Sequence, residues 1–396
     1  MSAVEEKKRL IAIDGGTSTT RVCLVEEGHC IARFQAPVGV RDTAASGSNQ
    51  KLQEAVRQGI SQVLESSGLS LEQVRGVYAG GMITSDVGLA EVPHLPAPVG
   101  LHELAAGVQA LELPQVCSVP IHLVPGVKNN VSRVDWTTFA QMDMMRGEEL
   151  EAVALLSLLP LGQEYLLVLP GSHTKFVMVD SAGKITGSRT TLSGELLAVL
   201  TRNTVLADSV HGQFVQKETY CRERVLAGCR EAAESGLGRA AFAGRILTQF
   251  QVTDAVGAAN YLLGAALWED VRVLAALRKN LNLACQVVVA GKFAFRQALA
   301  DLFQEFGPFT HVQAFPVPEE FSLSAKGAWL VAEGRERCVD PSSIIASMRL
   351  YRQKRATRGQ QGRFYELVGS VPNLRRKGLV WADRWPSPFC AESFTS

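Results

Sequence analysis

Long apolar runs are missing from this chain of 396 residues: no stretch approaches the roughly 18–20 consecutive apolar residues that a bilayer demands. Residues 1–14, MSAVEEKKRLIAID, lack the apolar segment of a secretory signal and lead straight into a strand pattern. The expected setting is therefore the cytoplasm, with no membrane partner. Metal-type cysteine spacing is absent too. The 8 cysteines include no C-x-x-C pair and no Cys/His cluster with zinc spacing, which leaves reduced, structural thiols. Charge of one sign is lacking overall, since the formal net charge is +1, and a global pull toward nucleic acid is excluded. Positive charge collects only in 337–396, where 11 Lys+Arg face 4 Asp+Glu in a stretch without periodic pattern. Two nucleotide signatures are also wanting: there is no G-x-x-x-x-G-K-[ST], and no G-x-G-x-x-G follows a strand.

What is present is 46% apolar residues, enough for sizeable cores, in a chain long enough for two or three domains. Residues 9–25 read as two strands joined by a Gly/Thr/Ser turn. Residues 52–66 follow a helical period, 74–78 make a short buried strand, and 93–126 form a Pro- and Gly-rich excursion. A second cycle begins near Met145. It has a helix over 148–159, a strand over 165–170, a polar turn over 171–175 and a returning strand over 176–180. Helical patterns follow over 193–206, 217–250 and 253–283, then a strand over 285–290 and helices over 293–306 and 321–334. The strand–turn–strand unit near residue 10 thus recurs near residue 165. Two copies of an α/β unit flanking a cleft match the architecture shared by actin, hexokinase and the Hsp70 ATPase domain.

Phosphoryl transfer needs a phosphate cradle, a metal to neutralise charge and a group that orients the acceptor hydroxyl. The first turn, Asp14-Gly15-Gly16-Thr17-Ser18-Thr19-Thr20-Arg21, offers backbone N–H groups and hydroxyls to an anion, and Asp14 could hold Mg²⁺ through water. The second, Pro170-Gly171-Ser172-His173-Thr174-Lys175, combines glycine, two hydroxyls, a histidine and a lysine. Each alone is compatible with an ordinary hairpin; as a pair they read better as a phosphate clamp. Between them lies Asp143-Met144-Met145-Arg146-Gly147-Glu148-Glu149. Acidic residues there complement a helix dipole, and either Asp143 or Glu148 could take the proton of a substrate hydroxyl, with Arg146 on an anionic group.

The runs AIDGGTSTTR, AGGMITSDVGLAEVPHLPAPV, VPGVKN, DMMRGEE, LPGSHTKFVMVD, TTLSGEL and VVVAGK, in this order over about residues 8–335, resemble the 2-dehydro-3-deoxygalactonokinase family. The resemblance implies an α/β fold of two actin-like (ribonuclease H-like) domains with a cleft between them. It implies transfer of the ATP γ-phosphate to the 6-hydroxyl of 2-dehydro-3-deoxy-D-galactonate, with Mg²⁺. It further implies Gly16, Thr17, Ser18, Thr19, Gly171, Ser172, His173, Thr174 and Lys175 at the phosphates, and Gly291 with Lys292 near adenosine. Gly81, Met82 and Ser85 would line the sugar side, and Arg21 or Arg146 would meet the carboxylate. A related SGEE run in exopolyphosphatases favours Glu148 or Glu149 as base, beside Asp143, with Asp14 as metal ligand.

Three departures stand out: Gly15 replaces a bulky aromatic of the family, the adenosine segment reads AGK, and 337–396 has no counterpart. The expected division is 1–144 on the sugar side, 145–336 on the nucleotide side, and a basic tail over 337–396, disordered or atypical. Small-molecule sugar acid and ATP are the expected partners, nucleic acid is disfavoured, and a homo-oligomer stays open. The competing readings are an exopolyphosphatase-like phosphohydrolase and a non-catalytic nucleotide-binding protein of the same fold.

Overall fold

The computed structural model describes residues 9–339, apart from 280, 319 and 320. The chain opens with a meander, β1 (Arg9–Gly15), β2 (Thr20–Glu26) and β3 (His29–Ala36), whose neighbours pair antiparallel. Alternation along β1 serves two cores: Leu10 and Ala12 face one, Ile11 and Ile13 the other. A short helix α1 (Val40–Ser46) leads to α2 (Gln50–Ser66), whose buried Leu52, Ala55, Val56, Ile60 and Val63 keep helical spacing and cover β2 and β3.

Strand β4 (Val77–Gly81) then pairs parallel with β1. The Pro/Gly-rich excursion contains β5 (Leu95–Pro96), α3 (Leu101–Gly107), β6 (Gln109–Leu111), β7 (Ile121–Leu123) and β8 (Val127–Lys128). After β9 (Met144–Met145) and α4 (Glu148–Leu156), the meander returns as β10 (Tyr165–Leu169), β11 (Thr174–Val179) and β12 (Ile185–Thr191). A helical layer follows: α5 (Ser193–Asn203), α6 (Leu206–Ser209), α7 (Arg222–Ser235), α8 (Leu237–Gln249) and α9 (Ala255–Leu277). The chain closes with β13 (Gln286–Ala290), α10 (Phe293–Phe306), β14 (His311–Phe315) and α11 (Leu323–Val339).

The first sheet runs β3-β2-β1-β4-β7-β6 and the second β12-β11-β10-β13-β14. Both place their meander in the order third, second, first, then add two strands parallel to the first. That shared order is the duplicated actin-like, ribonuclease H-like topology, the fold class expected from the sequence. One core holds inward residues of both sheets (Leu10, Ala12, Leu167, Leu169) together with α4 and α11. Two further cores back the sheets on their outer faces, under α2 and under α9 with α10. Helix α11 packs on α3, α4 and β1, so the last described element belongs with the first sheet.

Several expectations change. Strands β3, β12 and β14 stand where none was anticipated. The helical stretch 217–250 breaks at Gly236, whose φ of 81° ends α7 and starts α8. Helix α11 continues to Val339, past the expected start of the basic tail; the rest of that tail lies outside the described residues. Among the described residues no helix is long and apolar enough to cross a membrane.

Candidate active site

Both hairpin turns are built alike. In the first, Gly16 N–H donates to Thr19 O at 2.8 Å, and the start of α1 closes on it, with Val40 N–H on Gly16 O and Arg41 N–H on Thr17 O. A Cβ at Gly39 would stand 2.5 Å from Thr17 O, so only glycine lets the helix come so near. In the second, Glu195 N–H in α5 donates to Ser172 O at 2.8 Å, and a Cβ at Gly194 would collide with the Gly171 carbonyl. Each turn is thus held against a helix start through a glycine, with the helix N–H groups bound to the turn carbonyls. Thr17, Ser18, Gly171, Ser172 and His173 are exposed, while Gly16 and Thr19 are half-buried. His173 Nε2 lies 3.4 Å from Glu195 Oε2.

Asp14 ends β1 with 27% of its side chain exposed and its Oδ2 3.2 Å from Arg21 Nη1. Burial pushes its carboxyl up from the usual range, against the pull of Arg21. Gly81 pairs with Gly15 across the parallel register, and Gly147 comes up against Gly81, so the start of α4 meets the first hairpin. There Glu148 Oε2 accepts from Arg146 N–H at 3.1 Å. Glu149 is fully buried, and both its oxygens accept from Gly147 N–H at 2.8 Å. Burial first, and Glu148 second, push Glu149 up to about 8. Expected among the candidate bases, Glu149 cannot reach a bound hydroxyl from inside the core; its place is under the helix start.

Asp143 is held from one side. Its Oδ1 accepts from Met144 N–H at 2.7 Å and Thr190 Oγ1 at 2.7 Å, and Lys175 Nζ lies at 3.6 Å. Its Oδ2 has no partner among the described residues. Lys175, expected at the phosphates, turns the other way: its ammonium is 5% exposed and donates to Met144 O at 2.7 Å and Thr190 Oγ1 at 2.5 Å. The strand begins at Thr174, earlier than expected, so residues 174 and 175 alternate across the sheet instead of lining the turn. Thr174 is buried on the opposite face, its Oγ1 3.0 Å from Ser193 Oγ and 3.5 Å from Asp270 Oδ2.

Asp270, which sequence reasoning missed, gathers Thr174, Thr191 and Ser193 beneath the second turn. Burial raises its carboxyl to about 6. A signal was there: Leu263, Leu267, Asp270, Leu274 and Leu277 are buried at helical spacing, an acid in a leucine stripe. Of the sugar-side residues, Met82 is half-buried, while Ser85 is buried and donates to Met82 O at 2.7 Å. Arg146 ties the 82–94 segment to α4, donating to Thr84 Oγ1 at 2.9 Å and Val92 O at 2.8 Å. Gly291 closes β13 against Pro170 of the second turn, and exposed Lys292 caps α10.

Among the described residues no three His, Cys, Asp or Glu side chains form a cage for a metal. Mg²⁺ carried by a nucleotide asks for one or two carboxylates plus phosphate oxygens, and Asp14, a partly exposed hard-oxygen group beside the first turn, fits that need.

Comparison with known proteins agrees with this construction. A solved structure from Sinorhizobium meliloti, provisionally described as a 2-dehydro-3-deoxygalactonokinase, superposes with a TM-score of 0.63 at 20% identity, covering 84% of this chain and 99% of that one. At that identity the likeness speaks for the fold. The 2-dehydro-3-deoxygalactonokinase of Escherichia coli K12 is 30% identical over 200 residues, and a Rhizobium meliloti relative of the same description is 26% identical over 200 residues. Each match spans 50% of this chain and 58% of the relative's length. The sequence pattern of the 2-keto-3-deoxy-galactonokinase family matches residues 14–317, which take in both hairpin turns, the 143–149 segment and Gly291. The chain belongs to the 2-keto-3-deoxy-galactonokinase family.

Proposed function

We propose that this chain transfers the γ-phosphoryl group of ATP to the 6-hydroxyl of 2-dehydro-3-deoxy-D-galactonate or a closely related 2-keto-3-deoxy sugar acid. The observation that carries the reading is the 143–149 segment, which touches the second hairpin and the strand beside the first: Asp143 and Met144 meet Lys175, and Gly147 meets Gly81, the β4 neighbour of Gly15 and Asp14. A hydroxyl held near Asp143 would then lie between two anion-binding turns.

In this reading the exposed turns at 16–19 and 171–173 bind phosphate through N–H and hydroxyl groups. Asp14 would hold Mg²⁺ through water, and the ion bound with ATP would supply neutralisation of charge at the phosphates. Asp143 is the base, because its Oδ1 is fixed by Met144 N–H and the Thr190 and Ser188 hydroxyls, with Lys175 at 3.6 Å, while Oδ2 is left to accept the substrate proton. Glu148 is the alternative acceptor. Gly291 and Lys292 flank the adenosine, and Gly81 and Met82 the sugar. The two lobes, 1–144 and 145–336 save that α11 packs with the first, close on the substrates and exclude water. A cytoplasmic setting belongs to the same proposal.

The test is an ADP-release assay with Mg²⁺, ATP and 2-keto-3-deoxy acids derived from galactonate and gluconate, with product phosphorylation read by mass. Turnover with the galactonate-derived acid is expected. Phosphate release from polyphosphate without any organic acceptor would select the phosphohydrolase reading, and ATP binding without turnover the non-catalytic one.

A further inference from the structure

Residues 124–129, VPGVKN, belong to neither of the two large sheets. They supply β8 to a small sheet ordered β5-β8-β9. Alternate residues of a strand face opposite ways. Val127 and Met145, paired across β8 and β9, are buried in the core between the two large sheets. Lys128 and Met144, the other pair, stand on the opposite face with Pro96, and all three are exposed.

Gly126 lies two residues before Lys128, on that same open face. A Cβ at Gly126 would be 2.7 Å from His94 Cδ2 and 2.8 Å from Arg146 Cγ, and would overlap the Met145 carbonyl. His94 and Arg146 therefore close over Gly126 in line with Lys128. Among the described residues the Arg146 guanidinium donates to neutral groups, Thr84 Oγ1, Val92 O and, at 3.3 Å, His94 Nδ1. Burial, then Arg146, Lys128 and Lys175, push His94 down to about 4, so it is neutral, accepts at Nδ1 and offers Nε2–H. Glu149 accepts from Gly147 and Asp143 pairs with Lys175, while Glu149, Glu91 and Asp86 act on the Arg146 guanidinium through their charge without a hydrogen bond to it. Lys128 itself has neither an ion pair nor a hydrogen bond among the described residues.

We infer that Lys128, with Arg146 and His94 beside it, is the anchor for the substrate's carboxylate on the open face of the small sheet. The inference rests on the sugar-acid reading above and names the residue that makes it acid-specific. Lys128 stands across from Met144, the neighbour of the proposed base Asp143, so a carboxylate held on Lys128 would leave the chain of a six-carbon acid to carry its far hydroxyl toward Asp143. Exposed Lys128 gives up part of its hydration when it binds, and a charge-assisted bond to a carboxylate offsets that cost.

The test compares wild type, Lys128→Met and Lys128→Arg in turnover and in calorimetric binding, using the galactonate-derived 2-keto-3-deoxy acid and its neutral methyl ester. Lys128→Met is expected to raise KM and Kd for the acid by about 10- to 100-fold. It should leave kcat within about threefold, and spare both the ester and ATP; Lys128→Arg should restore most of the affinity. An acid KM and Kd unchanged in Lys128→Met overturn the anchor while the kinase reading stands. Equal losses for acid and ester, or a loss confined to ATP, overturn it as well. If wild type binds the acid without phosphorylating it, the kinase reading fails, and the Lys128 dependence of Kd still decides the anchor. If wild type does not bind the acid at all, both fall.

Discussion

Replacing Asp143 by asparagine separates the two roles that its surroundings assign to it. The change removes the negative charge and proton affinity of Oδ2 but keeps an oxygen for Thr190 Oγ1 and Met144 N–H, which hold Oδ1 at 2.7 Å each. A positioned general base is worth about 10²–10⁴ in rate, or roughly 3–5 kcal/mol of barrier, so kcat should fall by that factor. Stability should fall as well, because Lys175 is only 5% exposed and loses its counter-ion at 3.6 Å. Breaking a buried pair outright costs about 3–5 kcal/mol; here Met144 O and Thr190 Oγ1 stay on the ammonium, so the loss should be about half of that. The assay is kcat at saturating ATP and acid, with ATP affinity and a urea melt on the same samples. The double variant Asp143→Asn/Lys175→Met then decides the matter: removing the stranded charge should recover stability while activity stays low. Single-variant kcat within threefold of wild type, or a double variant that regains turnover, would refute Asp143 as the base.

Three further outcomes are expected. Glu149, raised to about 8, keeps its proton in the folded protein over a range where the unfolded chain has lost it. That stability is complete below the unfolded value of 4.5 and fades as pH rises through about 8. Melting temperatures at about pH 5 and pH 8 should therefore fall more for wild type than for Glu149→Gln; parallel declines would count against it. Gly194→Ala, driven into the Gly171 carbonyl, should cost about 1–3 kcal/mol in a urea melt and weaken nucleotide binding, whereas the same change at exposed Gly162 should leave binding untouched. Asp270→Ala, which leaves the hydroxyls of Thr174, Thr191 and Ser193 only one another as partners, should destabilise by about 1–3 kcal/mol. It should also raise the ATP KM more than the acid KM; equal effects on both would show that it does not support the second turn.

The two hairpins were readable because their sequence obeys local rules: apolar β-branched strands around glycine and hydroxyls. The strand β12 was not, and the reason is chemical. In Ile185–Thr191 the positions that would carry apolar residues hold Ser188, Thr190 and Thr191, and their hydroxyls serve Asp143, Lys175 and Asp270. A strand spent on polar contacts loses the alternation by which strands are recognised. The same cause moved Thr174 and Lys175 into the turn on paper: both are buried polar residues of β11. β3 and β14 end their sheets, where half-exposed side chains weaken the pattern. Asp143 was named from sequence, but its one-sided anchoring was not accessible, because Thr190 lies 47 residues away.

Helix α11 covers the inner face of β1, with Leu323, Ala325 and Trp329 joining Leu10 and Ala12 in one core. On a ribosome the opening meander emerges long before its cover. At about 5–20 residues per second, some 300 residues of synthesis keep that apolar surface waiting for roughly 15–60 s. The N-terminal strands must be sheltered by a chaperone or by provisional collapse until the last helix arrives, so nonsense changes just upstream of residue 323 should yield aggregates.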